Sequence, residues 1–150
     1  MKKYQQFLDA LPYGPGFLFV DGFTSMDEDK VEGYYHFGGE EYFYAHHFKD
    51  HPITPGVVLI ECMAQIGLMG LGMFIERERL TSNLPLMVMT DTEVKFHRGV
   101  PRGTSVVVKA KKIYYRMGKL KVSVEMKDES ESWIAVGTLS GMLKINENGE

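Results

Sequence analysis

The sequence predicts an α+β fold in which an antiparallel β-sheet wraps around one long central helix, and three observations lead there. Residues 56–75 are apolar on nearly every face, the pattern of a helix buried on all sides. The stretches 84–90, 94–97, 105–115, 119–127 and 133–145 read as strands, divided by turn signals at 99–103, 117–118 and 128–132. Two shorter strands precede the helix, and no linker, repeat or low-complexity segment interrupts the chain, so one domain is expected over residues 1–150. Strands, a buried helix and then a run of antiparallel strands bury most apolar surface if the sheet closes around the helix.

The elements follow in order. Tyr4, Phe7, Leu8 and Leu11 have amphipathic spacing, so a short helix is expected, ending at Pro12. The apolar run from Phe17 to Asp21 predicts a strand continuing towards Met26. Residues 27–30 form a polar turn, and 31–37 predict the returning strand, broken by Gly38-Gly39. Residues 40–45 suggest a short aromatic turn (Tyr42, Phe43, Tyr44) before a histidine-rich loop. Thr54-Pro55 reads as an N-cap followed by the first helical residue. Gly67, Gly70 and Gly72 each cost about 1 kcal/mol against Ala inside a helix. Close packing on the sheet would offset that cost; relief of crowding among methionines is the alternative. Residues 81–83 read as a loop, and Arg116-Met117-Gly118 as a tight hairpin.

The chemistry concentrates where the histidine loop meets the helix. Between Val57 and Ile75 the only acidic or basic side chain is Glu61. A carboxylate in such surroundings is paired, hydrogen-bonded or held protonated. The first N–H groups of a helix lack intrahelical partners, so those of Gly56 and Val57 can receive a carbonyl oxygen that gains charge. Gly56 also lets a substrate approach the backbone. His47 stands nine residues before Gly56, on a loop able to fold back over the helix start. A neutral histidine base, a buried glutamic acid and an amide oxyanion site are the parts for removing a proton α to a carbonyl. Gln65 lies one turn beyond Glu61 on the same face, suited to a polar contact with substrate or with Glu61.

Composition excludes several classes. The formal charge of −3 gives no global attraction to nucleic acid or membrane. Residues 57–75 reach the lower limit of a spanning helix, roughly 17–25 residues, but Glu61, Gln65 and three glycines argue against a lone membrane span. The opening MKKYQQFLDALP has no apolar core or small-residue cleavage site, so no signal peptide is expected. One cysteine, Cys62, has no intramolecular partner and reads as a small buried hydrophobe, which fits a reducing cytoplasm.

His47-Phe48, Pro52-Ile53-Thr54-Pro55-Gly56-Val57 and Glu61-Cys62-Met63-Ala64-Gln65 together resemble the signature of β-hydroxyacyl-acyl-carrier-protein dehydratases of the hotdog fold. Leu11-Pro12 with Phe17–Asp21 resembles that family's opening, and Val94–Gly103 its later strand and turn, so the likeness covers roughly residues 10–143. It implies a hydro-lyase that converts a 3-hydroxyacyl thioester on acyl carrier protein to the trans-2-enoyl thioester, in fatty-acid or polyketide/polyene-type synthesis. By position it implies His47 and Glu61 as the catalytic pair and Gly56 as the amide that holds the thioester oxygen. It further implies a homodimer, or a trimer of dimers, with the two catalytic groups drawn from different subunits beside an acyl tunnel. No metal or organic cofactor is implied. Glu at 61 resembles the branch that dehydrates without isomerising. His46, Lys49 and Asp50 stand where the family commonly has Gly, Pro and Gly, which points towards a specialised pathway; Asp is among the residues that best tolerate positive φ at position 50. Two alternatives accompany this reading: a catalytically weak acyl-binding or partner subunit of a dehydratase complex, and a hotdog acyl thioesterase.

Further features have two readings each. Tyr44, Phe48 and Met63 are candidates to line the acyl tunnel or to pack in core and interface. From Lys95 to Lys121 there are nine Lys/Arg and no Asp or Glu. Solvated strand faces account for part of this block, while Arg98, Arg102 and Lys109 are candidates to steer an acidic carrier protein. No nucleic-acid motif accompanies the charge. His46, His47, Asp50 and His51 have metal-ligand chemistry, but Pro52 and Pro55 prevent the helical spacing that would gather them, so no metal site is expected.

Overall fold

A computed structural model describes residues 3–80 and 85–145. Helix α1 spans Gln5–Asp9 and buries Phe7. Strands β1 (Gly22–Met26) and β2 (Lys30–Phe37) precede the central helix, Gly56–Ile75. After it come β3 (Pro85–Phe96), β4 (Thr104–Arg116), β5 (Lys119–Asp128) and β6 (Trp133–Ile145). All pair antiparallel in one sheet of order β1-β2-β4-β5-β6-β3.

The sheet buries alternate residues on the face turned to the helix. Val106, Val108 and Ala110 of β4 and Leu120, Val122, Val124 and Met126 of β5 are buried, as period-2 patterning requires. Against them lie Ile66, Leu68, Met69, Leu71 and Met73 of the helix, all with no exposed surface. The helix is long and apolar enough to cross a membrane, yet 78% of its most apolar window is buried inside the sheet. Its apolarity is therefore accounted for by packing within the chain.

The central helix is α-helical over Gly56–Ala64 (α2), π-helical over Gln65–Gly70 and α-helical over Leu71–Ile75 (α3). The π turn begins one residue after the segment bearing Glu61, a position at which such bulges often accompany function. A Cβ on Gly67 would stand 3.0 Å from the Ala110 methyl, and one on Gly70 2.6 Å from the Phe23 ring. Close packing on the sheet thus explains these two glycines. Gly72 faces the sheet as well: a Cβ there would stand 3.1 Å from the flexible methyl end of Met87 on β3 and 3.4 Å from Leu143 on β6.

Three expectations change. The strand expected from Phe17 begins only at Gly22, because the main chain of Phe17 and Phe19 is hydrogen-bonded to the Gln65 side chain instead of a neighbouring strand. The strands expected at 84–90 and 94–97 are one strand, β3, with a register shift between Met89 and Asp91. Thr54 is not the N-cap: Pro55 holds that place with extended backbone, and the Thr54 hydroxyl is taken by Tyr44. The expected loop at 81–83 lies outside the described residues. At the β4–β5 hairpin, Met117 (φ 53) and Gly118 (φ 83) both adopt the left-handed conformation that a two-residue connection demands.

Candidate active site

The histidine loop is built by its own main chain. A 3₁₀ turn at Tyr42–Ala45 ends with the N–H groups of His46 and His47 bonded to the Phe43 carbonyl. Phe48 and His51 then exchange backbone hydrogen bonds at 2.8 and 3.0 Å, closing a four-residue turn in which Asp50 has φ 59. That left-handed residue is the conformation foreseen for an Asp replacing Gly. The Ile53 N–H donates to the His47 carbonyl at 2.9 Å, so the loop returns beside its own start.

This return orients the His47 ring. Its Nδ1 lies 3.0 Å from the Ile53 carbonyl oxygen, which can only accept. Nδ1 therefore carries the proton and Nε2 of the neutral ring is left with its lone pair, the tautomer of a base. Phe48 stacks on the imidazole with centroids 4.0 Å apart and is otherwise exposed.

Thr54 anchors the helix entrance. Its N–H donates to the Val100 carbonyl at 3.0 Å, and its hydroxyl shares a 2.5 Å hydrogen bond with the buried Tyr44 hydroxyl. The first intrahelical bonds run from Val58 and Leu59 to the Pro55 carbonyl. The N–H groups of Gly56 and Val57 have no acceptor among the described residues, and Val57 is 75% exposed. Gly56 lines a groove of about 240 Å³ together with Thr54, Phe96, His97 and Arg98. A Cβ at position 56 would lie 3.4 Å from the Phe96 ring, in ordinary contact on the groove wall.

Glu61 sits five residues along, half-buried. Burial pushes its carboxyl above the ordinary glutamate range, and a hydrogen bond from Gln65 pulls it partway back. The fully buried Gln65 amide donates to Glu61 Oε2 and to the Phe17 carbonyl, each at 2.9 Å, and accepts from the Phe19 N–H at 2.8 Å. Both amide hydrogens are thus occupied within the chain. Among the described residues, His47 and Glu61 of one chain share no hydrogen bond or ion pair.

The remaining sequence candidates are distributed around this core. Met63 is buried in the helix. Arg98 borders the Gly56 groove and pairs with Asp128. Arg102 lays its stem over Gly39 and acts electrostatically on Tyr44, beside the histidine loop. Lys109 stands on the face of β4 opposite the helix, 3.9 Å from Glu32, in a separate groove with Lys30 and Lys111. Tyr13 escaped the sequence reading: its half-buried phenol is pushed up by burial and by the nearby Glu61 charge. It occupies a Pro-Tyr-Gly loop without periodicity, so no pattern pointed to it.

Comparison with known proteins places the chain in a family. The family model described as FabA-like domain matches residues 11–144. The 3-hydroxyacyl-[acyl-carrier-protein] dehydratase FabZ of Acinetobacter baylyi is 34% identical over 119 residues, covering 78% of each chain. FabZ of Bacillus licheniformis is 29% identical over 144 residues, 91% of this chain and 97% of the relative. Among solved structures, the dehydratase heterocomplex ApeI:P from Xenorhabdus doucetiae superposes with a TM-score of 0.78 at 14% identity, covering 95% and 93% of the two chains. A mutant of thioesterase PA1618 from Pseudomonas aeruginosa superposes at 0.67 with 12% identity, covering 95% and 94%. These two likenesses show the shared hotdog fold alone. By sequence and fold, the chain belongs to the FabA-like family of β-hydroxyacyl-acyl-carrier-protein dehydratases.

Proposed function

We propose that this chain dehydrates 3-hydroxyacyl thioesters carried on acyl carrier protein, with His47 as base and Glu61 as acid. His47 Nε2 takes the α-proton, and the Cα–H pair becomes the new C=C bond as the Cβ–O bond breaks. The departing hydroxyl takes the Glu61 proton and leaves as water; the imidazolium then returns a proton to the carboxylate. The Gly56 amide, with that of Val57 beside it, receives the thioester oxygen as charge develops. One observation carries this reading: the Ile53 carbonyl leaves the lone pair of the neutral His47 ring on Nε2, as a base needs, and burial pushes the Glu61 carboxyl towards its neutral form, as an acid needs. The FabZ relatives, 3-hydroxyacyl-acyl-carrier-protein dehydratases, support the substrate class.

The active unit is a homodimer in which His47 works with Glu61 of the partner subunit. Support comes from the edge of β3, a twelve-residue strand paired on one side only among the described residues, and from Val57 and Phe48 left exposed at the site. Arg98 and Arg102 flank the entrance and receive the acidic carrier protein; the enzyme works in the cytoplasm. Purified protein should interconvert 3-hydroxyacyl and trans-2-enoyl thioesters, with His47→Ala and Glu61→Gln each nearly inactive. Mixing the two inactive variants under subunit exchange should restore part of the activity. Full activity in both single variants overturns the assignment, and no recovery despite proven exchange places both groups in one subunit. Release of free thiol from acyl-CoA without enoyl product would make the chain a thioesterase.

A further inference from the structure

Gln65 is held by two backbone groups of opposite character. The Phe19 N–H can only donate and meets Gln65 Oε1; the Phe17 carbonyl can only accept and meets Nε2. Flipping the amide would set donor against donor and acceptor against acceptor, so the main chain fixes its orientation, independently of Glu61. The second Nε2 hydrogen is thereby aimed at Glu61 Oε2, 2.9 Å away. An oxygen that accepts an N–H is the carbonyl oxygen of a neutral carboxyl, which leaves the proton for the other oxygen. Among the described residues Oε1 has no hydrogen-bond partner.

We propose that Gln65 is a positioning residue that confines the Glu61 proton to Oε1, presenting it towards the leaving hydroxyl, and that the segment Phe17–Phe19 is the fixture that holds Gln65 in this role. The assignment rests on the dehydratase reading for its catalytic meaning, while the placement of the proton follows from hydrogen-bond chemistry alone. Gln65 has two effects of opposite kind. It orients the acid, and by donating to the charged form it limits how far burial raises the carboxyl. The other titratable neighbours of Glu61 are Tyr13, on the loop before Phe17, and Cys62, on the helix. Burial pushes both towards their neutral forms, helped at Tyr13 by the Glu61 charge and at Cys62 by the charges of Asp21 and then Glu61, so neither supplies a competing charge.

Gln65→Glu separates the two effects. A protonated Glu at 65 can accept from Phe19 N–H and donate its one hydrogen to the Phe17 carbonyl, but has none left for Glu61. This variant keeps the fixture and loses the bond to the acid; Gln65→Met loses both. In Gln65→Glu, kcat should fall by about 10²-fold with KM little changed, and the high-pH limb of the kcat profile should move upward while the low-pH limb stays. Wild-type kcat and an unmoved high-pH limb in a folded Gln65→Glu protein would overturn the proposal. A measurement on the unaltered protein stands apart from folding and activity: the Gln65 side-chain amide resonances should follow the ¹³C titration of the Glu61 carboxyl. Amide signals indifferent to that titration would also overturn it. A wild-type protein without dehydratase activity whose amide still follows Glu61 would sink the functional reading and leave the positioning role standing.

Discussion

The imidazole of His47 and the carbonyl of Ile53, six residues later, face each other at 3.0 Å, and the Ile53 N–H closes the same ring of contacts on the His47 carbonyl. Because a carbonyl offers no hydrogen, the neutral ring is confined to the Nδ1–H tautomer. ¹⁵N spectra of the neutral imidazole should show Nδ1 protonated and Nε2 bare. Replacing His47 by Ala should lower kcat by about 10²–10⁴-fold, the usual contribution of a general base.

Glu61 should reveal its environment through stability as well as rate. Its folded pKa lies above the unfolded one, so the folded protein binds the proton more tightly. The stability this contributes is fully present below the unfolded pKa and is lost as pH rises through the folded value. Glu61→Gln, which is neutral at every pH, should therefore melt at a higher temperature than wild type at neutral pH. The difference should shrink as pH falls through the glutamate range. Activity should drop by about 10²–10⁴-fold, and calorimetry across pH checks the first half of the statement.

Tyr44→Phe removes one hydroxyl from a buried pair and leaves the Thr54 oxygen without its partner. A loss of about 1–3 kcal/mol is expected for an unsatisfied buried group, read from urea unfolding.

The two kinds of helix glycine should separate on mutation. Gly70→Ala drives a methyl to 2.6 Å from the Phe23 ring; overpacking of about 1–3 kcal/mol outweighs the helix-propensity gain of about 1 kcal/mol, so stability should fall. Gly72→Ala meets the flexible end of Met87 at 3.1 Å and otherwise makes ordinary contacts with Leu143 and Leu120 at 3.4 and 3.8 Å, and should be near neutral in the same unfolding experiment.

Charge reversal at Arg102 tests the carrier protein's approach. Arg102→Glu should raise KM for acyl-carrier substrates by about tenfold, with the wild-type KM rising on added salt. Turnover of a short thioester without carrier protein should be unchanged. An equal effect on both substrates would remove Arg102 from the docking surface.

The central helix was legible because nineteen consecutive residues bear a single charge; Glu61 stood out for the same reason. The late strands were legible from their alternation and turn signals. What the sequence hid was competition for hydrogen bonds. Phe17–Val20 has strand composition, but Gln65 takes the polar groups of Phe17 and Phe19 that a ladder would need. Thr54 has the chemistry of an N-cap, but Tyr44, ten residues earlier, claims its hydroxyl. Tyr13 feels the Glu61 charge although it lies far from it in sequence. In each case a local propensity yields to a partner brought in by the tertiary fold, which periodicity cannot see.

Both proposed catalytic groups are finally moored to peptide atoms: His47 to the carbonyl of residue 53, and Glu61, by way of Gln65, to the carbonyl of residue 17 and the N–H of residue 19. These bonds do not depend on which side chain stands at 17 or 53, while at 19 the core packing of Phe19 restricts the choice, and there is one further exception. Proline would delete the N–H at 19 and the N–H by which 53 closes the loop. The immediate surroundings of the site are thereby open to mutational drift in shape and size, and so to a change of acyl group, while the geometry of proton transfer stays where the main chain put it.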